Sequence, residues 1–552
     1  MMASAIRHLS FYPFVQPLAR NRIRFRLDAA DGDLETCSVV WWKRTDTEAC
    51  TSVRMTCTGA DGQYAQWSGE VMLPAEIHYI KYIFCITGHC GETAYYGPNG
   101  LMPERDKCGC FERLQVNETD VLQVPEWSRG CIYYQIFPER FSRRGDRAQF
   151  DDWHAMPTRE NYLGGNLAGI LDRLPYLSEL GIECIYLNPV FLGDFNHKYA
   201  TTDYFRVDPL FGTEADLAAL VDVAHGRHIR VILDGVFNHT GIHFMPFQDL
   251  MEKGAGSRYR NWFYPKAYPV RVDPACYECV GDYPYMPRLN GANPEVREYI
   301  EKVLLYWLEK VHIDGWRFDV ADELDRHAVT GWREAVKQRF PEALLLAETW
   351  GDASGLLGPD GFDSAMNYLF RDAAADFFAC GTLSAMEMAV RLNRLLMRYP
   401  PEITLGMYNL LGSHDTARFL TEAGGVQWKL RLAMAFQMCF PGAPAIYYGD
   451  EVGMTGGNDP LCRAGMNWDS PDTELYEWQR QWIETRKAHP ALRRGDCRVS
   501  AEDRETLVLR RMSAEDRLLV IFNIGAVPKK LDFAETAGSV DVRPHSVEII
   551  SF

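Results

Sequence analysis

Two short stretches, Gly315-Trp316-Arg317-Phe318-Asp319 and Leu346-Ala347-Glu348-Thr349-Trp350, each set an acid at the end of an apolar run, and Gly412-Ser413-His414-Asp415 adds a third. Strand side chains alternate, so Arg317 and Asp319 share one face while Trp316 and Phe318 take the other. Cleavage of a glycosidic bond needs one carboxylate poised as acid and a second as nucleophile or base, flanking an oxocarbenium-like transition state. Arg317 is expected to keep Asp319 ionised and to lower its pKa. Glu348, beside Trp350 and after an apolar run, is expected to stay protonated near neutrality. Taken singly, each acid reads as well as a helix cap or half of an ion pair, and His239 or His414 as a satisfied core histidine. Their joint occurrence in this order is what such a reading does not explain.

These acids need a frame, and the chain supplies one. From Cys131 onward, short apolar segments alternate with amphipathic helical patterns, as in a parallel sheet covered by helices. The strand candidates are Cys131–Phe137, Glu183–Asn188, Arg230–Gly235, Gly315–Val320, Leu344–Glu348, Phe362–Asn367, Thr404–Leu411 and Pro444–Gly449, eight in all, enough for a closed (β/α)8 barrel. Asp234, Asp319, Glu348 and Asp415 fall at strand C-terminal ends, where barrels of this kind gather catalytic groups. Before the Gly315 strand, Asn293 as N-cap and Pro294 in the first turn open a helix whose Val296, Ile300, Val303, Leu304, Trp307 and Leu308 form a core face. About His243 to Leu289 shows little period, and a loop that long suggests a subdomain overhanging the barrel mouth.

The flanks read as β structure. Ile23, Phe25 and Leu27 alternate with charged neighbours, and Val39–Trp42 and Tyr79–Cys85 follow. The expected organisation is an N-terminal β-sandwich over 1–120, a barrel over 121–494 with an insertion at about 240–292, and a C-terminal β-sandwich over 495–552. A chain of 552 residues exceeds what one core organises.

Net charge is −17, from 75 acidic and 58 basic residues, which repels polyanions and argues against nucleic acid. Aromatic residues, at 12%, suit both stacking on sugars and filling the core. No signal peptide or membrane-length apolar run is evident, and Pro13 and Pro17 interrupt the apolar start. The 15 cysteines are odd in number and scattered, and neither Cys276-x-x-Cys279 nor Cys108-x-Cys110 has a second pair at zinc-finger spacing. Reduced thiols and a cytoplasmic location are expected.

The motifs carry a resemblance. Leu233-Asp234-Gly235-Val236-Phe237-Asn238-His239, Gly315 to Asp319, Ala347 to Trp350 and Leu411 to Asp415 resemble the four motifs of the α-amylase superfamily, and Gly442 to Glu451 its strand-eight motif. Met286-Pro287-Arg288-Leu289-Asn290 is similar to a signature of the neopullulanase, cyclomaltodextrinase and maltogenic amylase group, and Ala5 to His8 with Phe14 to Pro17 to its N-terminal starch-binding-type module. The resemblance implies Asp319 as nucleophile, Glu348 as acid/base and Asp415 as transition-state stabiliser. It implies that His239, His414 and Arg317 line the subsite of the cleaved glucose, with Asp234 among the substrate-binding residues. His197 and Tyr199 would bind and stack on that ring, Asp459 and Arg463 would close its far end, and Glu323 and Trp350 would face the acceptor side. Whether Tyr283 and Tyr285 stack on sugars or pack the subdomain stays open.

The chain also departs from the group. Arg144-Gly145-Asp146 and Gly164-Gly165-Asn166, with Phe150, stand where the group often has calcium ligands, and an arginine in the cage works against the ion. No tight calcium is expected, and no other cofactor. Ala200 and Asp322 replace an Asp and an Asn near the acceptor subsites, which bears on linkage preference.

The expected function is a retaining α-glucan hydrolase acting on cyclodextrins, pullulan or malto-oligosaccharides, on α-1,4 and conceivably α-1,6 bonds, with some transglycosylation. The alternatives are an α-glucosidase or oligo-1,6-glucosidase releasing terminal glucose, and a catalytically silent sugar-binding subunit. A homodimer through the N-terminal sandwich is expected, with no nucleic-acid or membrane partner.

Overall fold

In a computed structural model, which describes residues 1–46, 49–75, 77–146 and 148–552, the acids sit on an eight-stranded parallel sheet. Its strands are β1 (Tyr133–Ile136), β2 (Cys184–Leu187), β3 (Arg230–Gly235), β4 (Gly315–Phe318), β5 (Leu344–Ala347), β6 (Ser364–Ala365), β7 (Tyr408–Leu410) and β8 (Ala443–Tyr447). Hydrogen bonding runs β6-β5-β4-β3-β2-β1-β8-β7. The remaining seam, between β6 and β7, is spanned by a Met366–Tyr408 bridge and by Asn367 N–H donating to Tyr408 O at 2.8 Å. Nearly every residue of these strands is buried, as parallel strands covered by helices require.

The covering helices include α1 (Glu214–His225), α2 (Met245–Lys253), α3 (Pro294–Lys310), α4 (Arg326–Arg339), α5 (Ala385–Arg398), α6 (Pro401–Gly406), α7 (Gln427–Cys439) and α8 (Thr473–Ala488). Asn293 caps α3, its side chain accepting from Glu295 N–H at 2.8 Å, and Val296, Ile300, Val303, Leu304, Trp307 and Leu308 are buried. At the start of β4 only glycine fits: a Cβ on Gly315 would meet Leu344 O at 2.3 Å. Trp316 and Phe318 pack outward against the helices, which leaves Arg317 and Asp319 to the barrel interior.

Two readings of the sequence need correction. The expected strand Thr404–Leu411 begins only at Tyr408, because Pro401 opens the short helix α6 that carries Thr404. The stretch after His243 is not without period: α2, with Pro246 in its first turn, forms there, and the subdomain then closes with Cys279 bridged to Pro287 and His239 to Arg288.

At the N-terminus, a four-stranded sheet (Val15–Ala19, Arg22–Ala30, Tyr64–Met72, Thr56–Ala60) faces a six-stranded one built around Leu34–Lys43 and Ile80–Gly88. Ile23, Phe25 and Leu27 meet Val39, Tyr82 and Phe84 between them. This sandwich docks on its own barrel: Arg24 pairs with Glu402 at 2.9 Å and Arg394 with Asp61 at 2.8 Å. The C-terminal sheet (Asp496–Ala501, Thr506–Met512, Arg517–Asn523, Ser546–Ser551) uses its two faces differently. Leu507, Leu509 and Val520 join the barrel core, whereas Val508, Leu519 and Ile521 pack under Phe533 and Val542. Among the described residues no helix is long and apolar enough to cross a membrane, and no disulfide is formed.

Candidate active site

Arg317 is the hub. Its side chain is wholly buried, with Nη1 2.8 Å from Asp234 Oδ1 and 2.8 Å from Asp319 Oδ1, and Nη2 2.8 Å from Glu348 Oε2. β3 and β4 pair Asp234 with Arg317, and β4 and β5 pair Phe318 with Ala347, so the three acids arrive at the interior from adjacent strands. Glu348 Oε2 also accepts from Val320 N–H at 2.9 Å, and Oε1 from Trp350 Nε1–H at 3.3 Å. Val320 turns its amide there by adopting φ 46°, a left-handed backbone that a β-branched residue seldom tolerates.

One cation therefore serves three carboxylates, and this corrects the expectation that Arg317 lowers the Asp319 pKa. Burial pushes Asp319 well above the usual carboxylate range; Arg317 pulls it down, while Glu348 and Asp234 push it up again. Desolvation wins because Arg317 is divided among partners instead of being dedicated to Asp319.

Asp234 is itself fully engaged: besides Arg317, its Oδ2 accepts from Tyr186 OH at 2.6 Å and Tyr199 OH at 2.8 Å. It was expected to bind substrate; in the structure it lies beneath the site and positions Arg317 and Tyr199. Burial raises its pKa, against the pull of Arg317 and the tyrosines.

His414 extends the network. Gln135 Nε2 donates to Asn188 Oδ1 at 3.0 Å and lies 2.8 Å from His414 Nδ1, so Nδ1 accepts and Nε2 carries the proton. Nε2 stands 2.6 Å from Tyr199 OH and 3.1 Å from Asp415 Oδ2. The His414 and Tyr199 rings stack at 5.4 Å and 5°. Burial and the charges of Arg463 and Arg317 hold His414 neutral, well below its ordinary pKa. His239 is buried with both ring nitrogens unpartnered among the described residues, Nε2 4.0 Å from Asp319 Oδ2, and burial lowers its pKa to about 4.

The remaining expected residues lie around this centre. Arg463 bridges Asp415, at 3.1 Å, and Asp459, at 2.8 Å. His197 accepts Tyr199 N–H on Nδ1 at 3.0 Å, and burial lowers its pKa to about 3. Trp350 is 52% exposed and stacks on Tyr368 at 4.1 Å. Glu323 is exposed and accepts from Asn238 Nδ2 at 2.9 Å.

Comparison with known proteins decides the family. Residues 135–495 match the alpha amylase catalytic domain, and residues 1–117 the alpha amylase N-terminal ig-like domain. The chain belongs to the alpha-amylase family. It is 40% identical to neopullulanase 2 of Thermoactinomyces vulgaris over 92% of this chain and 88% of that one. It is 40% identical to the cyclomaltodextrinase of Geobacillus thermopakistaniensis strain MAS1, over 95% of this chain and 91% of that one. A solved cyclomaltodextrinase superposes with a TM-score of 0.89 at 36% identity, covering 97% of this chain and 94% of the other. It is a glycoside hydrolase of the alpha-amylase family, with the barrel and flanking β-domains expected above.

Two further features of this alpha-amylase site stand out. Gln135, Tyr186 and Asn188 build the network under Asp234 and His414, yet in the sequence they read as ordinary strand residues. Their one signal is a polar side chain inside an apolar run. At the stretch where calcium ligands are expected to be missing, Asn166 is tied to its own chain. Asn166 Oδ1 accepts from Gly169 N–H at 2.7 Å and Arg144 N–H at 3.2 Å, its Nδ2 donates to Arg144 O at 3.0 Å, and Arg144 pairs with Asp172. The Asn166 side-chain oxygen is therefore engaged by two backbone amides within the protein.

Proposed function

We propose that the chain is a retaining α-glucan hydrolase that cleaves α-1,4-glucosidic bonds in cyclodextrins, pullulan and malto-oligosaccharides, with transfer to sugar acceptors as a side reaction. The observation that carries it is the single guanidinium of Arg317, 2.8 Å from both Asp319 and Glu348. Retaining enzymes hold their two carboxyl groups roughly 5–5.5 Å apart and inverting ones roughly 6.5–9.5 Å, and a guanidinium shared by both acids keeps this pair close.

Asp319 attacks the anomeric carbon while Glu348 gives its proton to the departing glycosidic oxygen; Glu348 then takes a proton from the water that releases the sugar from Asp319. Asp415, oriented by Arg463 and by the Nε2 proton of His414, accepts hydroxyls of the same ring, and His239 donates from its unpartnered nitrogen.

The relatives named neopullulanase and cyclomaltodextrinase support the substrate class. Chromatography of products from β-cyclodextrin, pullulan, starch and maltotriose tests it: maltose or panose supports the reading, and glucose alone supports an exo-acting α-glucosidase instead. We infer also a homodimer through the N-terminal sandwich, whose surface exposes Phe11 and Met72. Light scattering of the full chain giving a monomer contradicts it.

A further inference from the structure

The cleft has two ends. Trp350 and Glu323 mark one, on the Glu348 side. At the other, Asp415, Arg463, Asp459 and Arg159 form a continuous line of ion pairs at 3.1, 2.8 and 3.2 Å. The last member comes from a loop that no motif of the sequence singles out.

That loop is rigidly built. Thr158 Oγ1 accepts the amides of Glu160 and Asn161 at 3.2 and 3.0 Å, and Asn161 Oδ1 accepts the amide of Thr158 at 2.9 Å. Asn196, the neighbour of His197, donates from Nδ2 to Thr158 O at 3.1 Å and to Asn161 O at 2.8 Å. The buried Arg140 holds Asn161 from below, at 2.8 Å. Arg159 thus stands at the apex of a turn bolted to the subsite wall, its side chain 47% exposed. Among the described residues only its Nη2 is paired, which leaves further N–H donors directed to solvent.

An aromatic surface lies beside it. Phe195 stacks on His197 at 5.3 Å and 12° and packs on Tyr285 at 4.6 Å; Tyr283 follows at 5.6 Å and is 40% exposed. A glucose ring has an apolar face and a hydroxyl rim, so it binds where an aromatic surface meets fixed charged donors. Resting on the α-glucan reading above, we propose that Arg159 is a specificity-determining residue: with Asp459 it hydrogen-bonds the hydroxyls of the second glucose on the donor side. The chain thereby prefers substrates offering two donor-side rings over those offering one.

The test compares 4-nitrophenyl α-maltoside, with two donor rings, and 4-nitrophenyl α-glucoside, with one, by nitrophenolate release. In Arg159→Ala the ratio of kcat/KM for maltoside over glucoside falls roughly tenfold or more, the loss of a hydrogen bond to a charged group. Arg159→Lys, which keeps the charge but not the planar fork, recovers part of it. An unchanged ratio, whether both substrates are unaffected or both decline together, overturns the inference. Wild-type chain inert toward both glycosides instead removes the α-glucan reading on which the inference rests.

Discussion

Glu348 and Asp319 leave neighbouring strands at the same level: Phe318 pairs with Ala347, Glu348 N–H donates to Phe318 O at 2.9 Å, and one guanidinium spans both carboxylates. The register of two parallel strands therefore sets the spacing of the reacting pair. Whatever disturbs that register, or the anchor beneath Arg317, disturbs the chemistry.

Asp234→Asn tests the anchor. The amide cannot accept from Arg317, Tyr186 and Tyr199 together, so Arg317 and Tyr199 shift, and kcat falls roughly hundredfold with KM little changed. Asp234 is also one of the charges that raise Asp319, so its removal lowers the Asp319 pKa and moves the acid limb of the pH–rate profile to lower pH. Steady-state kinetics across pH reads both effects. An unchanged acid limb contradicts the coupling.

Gly315→Ala tests the register. The added Cβ would meet Leu344 backbone oxygen at 2.3 Å, which forces β4 from β5. A loss of about 2–4 kcal/mol in urea denaturation is expected, with activity reduced in the folded fraction.

How much of this was legible in the sequence follows from distance along the chain. The barrel strands were visible because each is a short apolar run closed by a polar residue, and the α3 boundary because Asn293 and Pro294 mark it locally. The division of Arg317 among three acids was not, since Asp234 and Glu348 reach it from other strands. The anchoring role of Asp234 was hidden for the same reason: its tyrosine partners, Tyr186 on β2 and Tyr199 in the segment after it, are distant along the chain. The end of helix α6 reads as strand because Leu405, Met407 and Leu411 fall at alternate positions of Thr404–Leu411, a stretch too short to reveal the helical period.

Gln135→Glu tests the His414 tautomer. A carboxylate at that place accepts from Nδ1–H instead of donating to it, which favours the doubly protonated ring and raises the His414 pKa. Activity falls, and a new acid limb appears at higher pH. The wild-type profile carries no such limb, because burial keeps His414 neutral.

Stability depends on pH through histidines outside the chemistry. In the N-terminal sandwich, His8 lies 2.6 Å from Arg26 O and 3.0 Å from Tyr82 OH, and burial lowers its pKa from 6.5 to about 4. Between those values the unfolded chain takes a proton that the folded chain refuses, so stability falls as pH drops through the window and is fully present above it. The contribution is about 3 kcal/mol for a complete shift of that size. His8→Gln, which keeps a polar partner without titrating, should flatten the decline of Tm between pH 6.5 and 4.

Retaining hydrolysis through Asp319 requires a covalent bond between its carboxylate and the sugar. Its most direct measurement is peptide mass spectrometry after incubation with 5-fluoro-α-glucosyl fluoride, which slows release of the glycosyl-enzyme. Attack by Asp319 yields one 5-fluoroglucosyl adduct, on Asp319 in the peptide that contains Gly315 to Asp319. An adduct on Glu348 or Asp415, or turnover of the reagent with no adduct, would contradict it.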